Sequence, residues 1–342
     1  VTFCNVRLEI TASVADTVQR IYTLKRDVFM PNTLPAKGFQ GVWPDVLVPL
    51  QEDLSIDQAK LCAHLRNLCA KGLENFVLFG HAGEGSSFSV DEKLSTVTHV
   101  IAAGVEAQNI LLGVHSSSFI EIAQFIRKAY EKGVRRFLVS APLYGQPLSH
   151  IALFDYFDQL IKQVNLNGWQ LFIHQLGGIN HCADLPEVAL TDLRKTHPLI
   201  FVGMVDQDIH VNHTVDLMRS FGTEIVIASA HEPNLSVLKP TVCVSALANV
   251  IPNIVQHLMA NEAVKSATQI AGMKIAKPDD RVVELMTLLG NYPAIAALKL
   301  MLSMHYRAEA WERVRPPQST LTKEGRQALM GAFKTFNLQA HE

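Results

Sequence analysis

The sequence predicts an α/β protein, a (β/α)8 barrel with a C-terminal helical extension, and two observations predict it. Eight short apolar runs recur between residues 41 and 247. They are near-continuous in hydrophobicity rather than alternating, as strands covered on both faces should be. Helical stretches separate them, and strand, crossover helix, next strand is the repeating unit of a closed barrel. A doubly wound sheet is the alternative, but it would rarely need eight such regular units.

The runs are GVWPDVLVP (41–49), NFVLFG (75–80), NILLGV (109–114), RFLVSAP (136–142), QLFIHQL (170–176), IFVGMV (200–205), EIVIASA (224–230) and TVCVSAL (241–247). Between the first two, residues 56–72 place Ala59, Leu61, Leu65 and Leu68 near one helical face. Between the third and fourth, residues 119–133 carry Ile120, Ile122, Ala123, Phe125, Ile126 and Ala129 and stop at Gly133, as a helix C-cap should. After residue 250 the strands stop. Segments 261–275, 281–290, 293–312 and 320–335 read as helices, broken at Tyr292-Pro293 and Pro316-Pro317. The expected organisation is an N-terminal extension over 1–40, a barrel over 41–255 and a helical region over 256–342.

Composition narrows the function classes. Hydrophobic types make up 48% of 342 residues and charged types 18%, which excludes disorder as a description of the whole. Lys plus Arg is 30 against Asp plus Glu 32, so no basic surface points to nucleic acid or to a membrane. Mean hydropathy is +0.15, yet no apolar run reaches the roughly 18–20 residues of a membrane span. That apolar surface is expected inside the barrel and between subunits of a homo-oligomer, a dimer or tetramer. Five cysteines (Cys4, Cys62, Cys69, Cys182, Cys243) form no paired motif and read as buried free thiols in a reducing cytoplasm. The N-terminal residues show no signal-peptide pattern.

Barrel enzymes keep their chemistry at the C-terminal ends of the strands. Those ends carry Gly80-His81-Ala82-Gly83-Glu84, His115, Tyr144, His174-Gln175, Asp206-Gln207-Asp208, His231-Glu232, and Ser245 with Asn249. Three histidines (His81, His115, His174) and two acids (Glu84, Asp206) can converge there. They would make a His-based acid/base pair or a metal site, or they are packed and hydrogen-bonded side chains. No paired histidine spacing lies on one strand, so no metal and no cofactor is expected. His210 and His213 read as a solvated helix start.

With these motifs in order, the chain resembles the dihydrodipicolinate synthase and N-acetylneuraminate lyase family of Schiff-base aldolases over roughly residues 40–335. The landmarks are GHAGEGSSFSVDEK (80–93), Gly113-Val114, APLYGQP (141–147), SALANVIP (245–252) and Arg315-Pro316-Pro317. The resemblance implies a TIM barrel, an oligomer and a carbon-carbon lyase or synthase acting on a small keto or hydroxy acid. It places substrate-binding positions at Gly80, His81, Ala82, Gly83, Glu84, Gly203, Asp206 and Ser245.

The functional residues of the family do not all carry over. Its Schiff-base lysine, in Gly-Ile-Lys, falls on Val205 of Gly203-Met204-Val205. Its catalytic tyrosine, in Tyr-Asn-x-Pro, falls on His174, and the following arginine of the synthases falls on Ile179. The carboxylate-binding threonine pair falls on His81 and Ala82. Tyr144 and the glycines of the turn persist. A Schiff base needs a deprotonatable primary amine, which valine lacks. Lys195 and Lys239 precede strands on the opposite rim, and Lys71, Lys132 and Lys162 belong to helices or their ends, so no lysine is expected at the mouth. His174, Tyr144 and His81 are the candidate catalytic residues. Glu84 is either a general acid or a buried organiser of the loop, and Tyr144 either relays protons or packs at a subunit contact. Three functions follow: a lyase or synthase with altered machinery, an inactive homologue that binds a small ligand or a protein partner, or a metal-assisted lyase or hydrolase.

Overall fold

The structure, a computed structural model, describes residues 39–143, 147–177, 184–208, 210–260, 268–270, 273–275 and 280–335. Of the extension expected over 1–40, only the last two residues fall within these. Tyr144, Ile179, Cys4 and Cys182 lie outside them.

The first half alternates as the apolar runs require: β1 (Gly41–Pro44), α1 (Gln58–Ala70), β2 (Phe76–Leu78), α2 (Val90–Ala102), β3 (Ile110–Val114), α3 (Phe119–Glu131), β4 (Arg136–Ser140) and α4 (His150–Val164). The second half continues with β5 (Gln170–Gln175), α5 (Glu187–Thr196), β6 (Phe201–Asp206), α6 (Val211–Phe221), β7 (Val226–Ser229), α7 (Leu235–Leu238), β8 (Val242–Ser245) and α8 (Pro252–Met259). Side chains start several of the helices. Asp57, Ser89, Ser118 and Ser149 each accept from a backbone N–H of the first turn, and Ser89 forms a full capping box with Glu92. Gly133, at φ +98°, ends the third crossover as its position predicts. Two expected core residues are not in the core: Ala59 is exposed and Ile120 is 39% exposed, each at the edge of its helical stripe.

The strands form one parallel sheet in the order β1-β8-β7-β6-β5-β4-β3-β2, and a parallel bridge from Asp45 to Val77 brings β1 back to β2. This is a nearly closed TIM barrel. Its interior is a separate apolar cluster that includes Phe39, Trp43, Leu138, Phe172, Val205, Ala228 and Val244. Large and small residues alternate across it. A Cβ on Gly203 would lie 2.3 Å from the Phe172 ring, so that position of β6 has to be glycine. Phe39, Trp43 and Phe172 pack ring to ring at centroid distances of 5.4–6.1 Å. The larger core lies between the sheet and the helices. Cys62 and Cys243 are buried free thiols, whereas Cys69, on the outer side of α1, is exposed.

The helical extension follows as α9 (Asp280–Leu289), α10 (Ala294–Tyr306) and α11 (Lys323–Thr335). Two expectations are corrected here. Within 261–275, Thr268–Ile270 (β9) and Met273–Ile275 (β10) pair antiparallel rather than forming a helix. Thr268, Ile270 and Ile275 are β-branched, which favours strand over helix. The helix expected over 293–312 stops at Tyr306, where Arg307 turns left-handed at φ +51°. Among the described residues, no single helix is long and apolar enough to cross a membrane.

Candidate active site

The loop after β2 is built around a carboxyl group outside the strand-end candidates. Asp45 follows the last residue of β1 and is buried. The Ala82 N–H donates to its Oδ2 at 2.8 Å, and the amides of Gly83 and His81 also act on it. Burial pushes its pKa up to about 7, against the pull of those amides and helped by the charge of Glu232. Gly80 makes room: a Cβ there would sit 2.4 Å from Asp45 Oδ1. That Oδ1 is itself buried and has no hydrogen-bond partner.

Glu84 faces the other way. It is left-handed at φ +53°, and its side chain reaches the helical extension. Lys299 Nζ of α10 donates to its Oε1 at 2.6 Å with both side chains fully buried, and the Arg315 N–H donates to its Oε2 at 2.8 Å. Burial pushes the Lys299 ammonium down, with Glu84 opposing that. The Arg315 guanidinium holds both oxygens of Glu92 at 2.8 and 3.0 Å and lies 4.3 Å from the Phe88 ring centre. Glu84 thus ties the loop to the extension, and its carboxylate is spent there.

Three histidines stand at the strand ends in electrostatic reach of one another. His115, after β3, donates from Nε2 to the Phe79 carbonyl at 2.9 Å. His174, on β5, donates from Nε2 to Gln207 Oε1 at 3.0 Å, which leaves Nδ1 as the lone-pair nitrogen. That Nδ1 is buried without a partner. Burial lowers both pKa values to about 3, with Lys93 adding to the shift on His115 and His81 to that on His174. Burial also lowers the pKa of His81, which stays half-buried on the loop.

On β6, Val205 is fully buried in the barrel interior and lies in register with His174. Asp206, one residue on, points to the helix side. Thr214 Oγ1 donates to its Oδ2 at 2.6 Å and His213 Nδ1 to its Oδ1 at 3.0 Å. His213 is therefore an anchored side chain with a raised pKa, the Asp206 hydrogen bond being the main cause, and not a solvated one. His210 is 78% exposed, as a helix start would leave it. Ser245 Oγ donates to Glu232 Oε1 at 3.0 Å, and the same oxygen accepts from the Ala246 and Leu247 amides. Asn249 Nδ2 donates to the Asp45 carbonyl at 2.8 Å, stitching β1 to the turn after β8.

Of the positions the sequence singled out, His81, His115 and His174 stand at strand ends within electrostatic reach of one another, and Val205 lies beside His174 in the barrel interior. Glu84, Gly203, Asp206 and Ser245 are held by neighbouring protein groups, and Tyr144 lies outside the described residues. No group of three or more His, Cys, Asp or Glu among the described residues is placed to hold a metal ion. Two further lysines are buried. Lys299 interrupts the apolar AIAALKLMLSM of α10, and Lys93 sits in the first turn of α2. Lys93 is 2% exposed, its Nζ is 5.7 Å from the ring centres of both Phe79 and Phe125, and burial brings its pKa down to about 8. Asp45 had a signal as well, being the one charged residue in the apolar run 41–49.

An eight-stranded barrel with a glycine-rich turn after β2 and a helical extension clamped onto it defines an aldolase-type architecture. The profile of the Dihydrodipicolinate synthetase family matches residues 38–336, and the chain belongs to that family. A 4-hydroxy-tetrahydrodipicolinate synthase of Agrobacterium fabrum is 24% identical over 306 residues, covering 88% of this chain and 99% of that protein. Among solved structures, dihydrodipicolinate synthase from Agrobacterium tumefaciens superposes with a TM-score of 0.75 at 24% identity, over 87% of this chain and 99% of that one. A prophage protein of the same family from E. coli K12, in complex with pyruvate, gives 0.74 at 17% identity, over 88% and 100%.

Proposed function

We propose that this family member takes a small molecule into the barrel mouth without forming a Schiff base on β6. One observation carries the reading: the β6 position in register with His174 is Val205, an alkyl side chain buried in the barrel interior. The resemblance puts the family's amine at that position, and valine can neither attack a carbonyl nor hold a proton. His174 does not replace the lost chemistry. With a pKa of about 3, it would take a proton at pH 7 only at a cost of about 5 kcal/mol, so it serves as a hydrogen-bond acceptor rather than a base.

A second reading, a lyase or synthase acting on a small keto or hydroxy acid, has one observation in its favour. Lys93 is an amine brought to about 8, within electrostatic reach of His115. Borohydride reduction in the presence of pyruvate, followed by peptide mass mapping, separates the two readings. No adduct on any lysine is the expected result. A mass increase of reduced pyruvate on Lys93 would overturn the first reading and carry the second.

A further inference from the structure

A histidine that moves protons needs a ring held in one tautomer, a free lone pair and access from outside. Along the rim, His174 is buried and His210 is 78% exposed. His213, in the first turn of α6, lies between these extremes. Its Nδ1 donates to Asp206 Oδ1 at 3.0 Å, which leaves the lone pair on Nε2. The side chain is 33% exposed, and Nε2 has no partner among the described residues.

The carboxylate behind the ring is fixed. Asp206 ends β6 and is fully buried. Thr214 Oγ1 donates to its Oδ2 at 2.6 Å, and the Asp208 N–H donates to its Oδ1 at 3.3 Å. Its backbone is locked to the end of β7, where the Ala230 N–H donates to the Asp206 carbonyl at 2.8 Å. A buried carboxylate on Nδ1 sets the tautomer and stabilises the imidazolium that forms when Nε2 takes a proton. Its hydrogen bond is also the main cause of the raised pKa of His213. The pair stands at the strand end where barrel enzymes keep their chemistry.

The surroundings restrict the substrate. Asp184 and Asp208 add negative charge at His213, and among the described residues no lysine or arginine pairs with Asp184, Asp206 or Asp208. An anionic substrate is repelled there and an uncharged one is not.

We infer that His213, positioned by Asp206, is a general base that adds water to the carbonyl of a small uncharged ester. Nε2 takes a proton as the water oxygen bonds to the carbonyl carbon. It returns that proton to the leaving oxygen as the old carbon–oxygen bond breaks, so ester and water become acid and alcohol. The pair lies on the helix side of β6, opposite Val205, and its activity does not depend on what the barrel interior binds.

The probes are p-nitrophenyl acetate, which is uncharged, and its anionic counterpart, the mono-p-nitrophenyl ester of succinic acid. The wild-type protein should hydrolyse the first saturably, at least about tenfold faster than the second. The rate should rise with pH as His213 loses its proton, and should fall in deuterium oxide. His213→Gln should lower kcat/KM at least about tenfold, whereas His210→Gln, which removes the exposed imidazole next to it, should leave the rate unchanged. Asp206→Asn should lower the plateau and move the pH limb to lower pH, a shift that misfolding alone does not produce. Hydrolysis no faster than in buffer, equal rates on the two esters, or equal losses in His213→Gln and His210→Gln would overturn the inference even if Asp206→Asn does not fold. So would a folded Asp206→Asn whose limb stays in place.

Discussion

Two buried charged regions lie on either side of the turn after β2, and they are resolved in opposite ways. On the outer side, Glu84, Lys299, Arg315 and Glu92 are paired, and each oxygen of Glu84 has a donor. On the mouth side, Asp45 and His174 each keep an unpartnered atom, and among the described residues no lysine or arginine pairs with Asp45 or Glu232. Buried polar groups without partners are costly, so the fold satisfies one cluster fully and carries an unmet cost in the other. The paired cluster holds the extension to the barrel.

The sharpest way to break the contrast is Lys299→Met. It leaves Glu84 without its buried partner, and removing one member of a buried pair should cost about 3–5 kcal/mol in urea unfolding. The open side should respond through pH instead. The folded pKa of Asp45 stands above its unfolded value of 3.8, at about 7, so the wild-type protein loses stability from this group as pH rises between those values. In Asp45→Asn that loss disappears. The stability of the variant relative to wild type should therefore climb by about 2–4 kcal/mol from pH 4 to pH 8, read from urea midpoints. A flat difference would place Asp45 in water. The smallest change belongs to Arg315→Lys, which keeps the charge but loses the fork on Glu92 and the stacking on Phe88, for about 1–2 kcal/mol. Arg315 is the main reason Glu92 sits at about 2, so its contribution is present above pH 4.5 and fades as pH falls toward 2. The acid limb of the unfolding curve should be shallower in the variant.

The barrel was legible because eight doubly covered strands must be written as eight apolar runs, and nothing else in 342 residues competes with that pattern. The site was legible only in part. His81, His174 and Val205 stand at strand ends, where position alone gives their place. What Glu84 or Asp206 bonds to depends on Lys299 and Thr214, partners 215 and 8 residues away. Spacing along the chain carries no trace of the longer of these. Lys93 and Asp45 are single charges whose burial is decided by packing around them. The β9–β10 pair is hard to read because a short apolar stretch leading into a run of helices reads equally well as another helix.

The stack of Phe39, Trp43 and Phe172 in the barrel interior has a consequence for traffic. With its interior filled by rings and Val205, the molecule is a cup and not a tube. Whatever enters between His81 and His174 must leave by the same rim, against the water that replaces it. Entry and exit at this end of the barrel therefore share one opening.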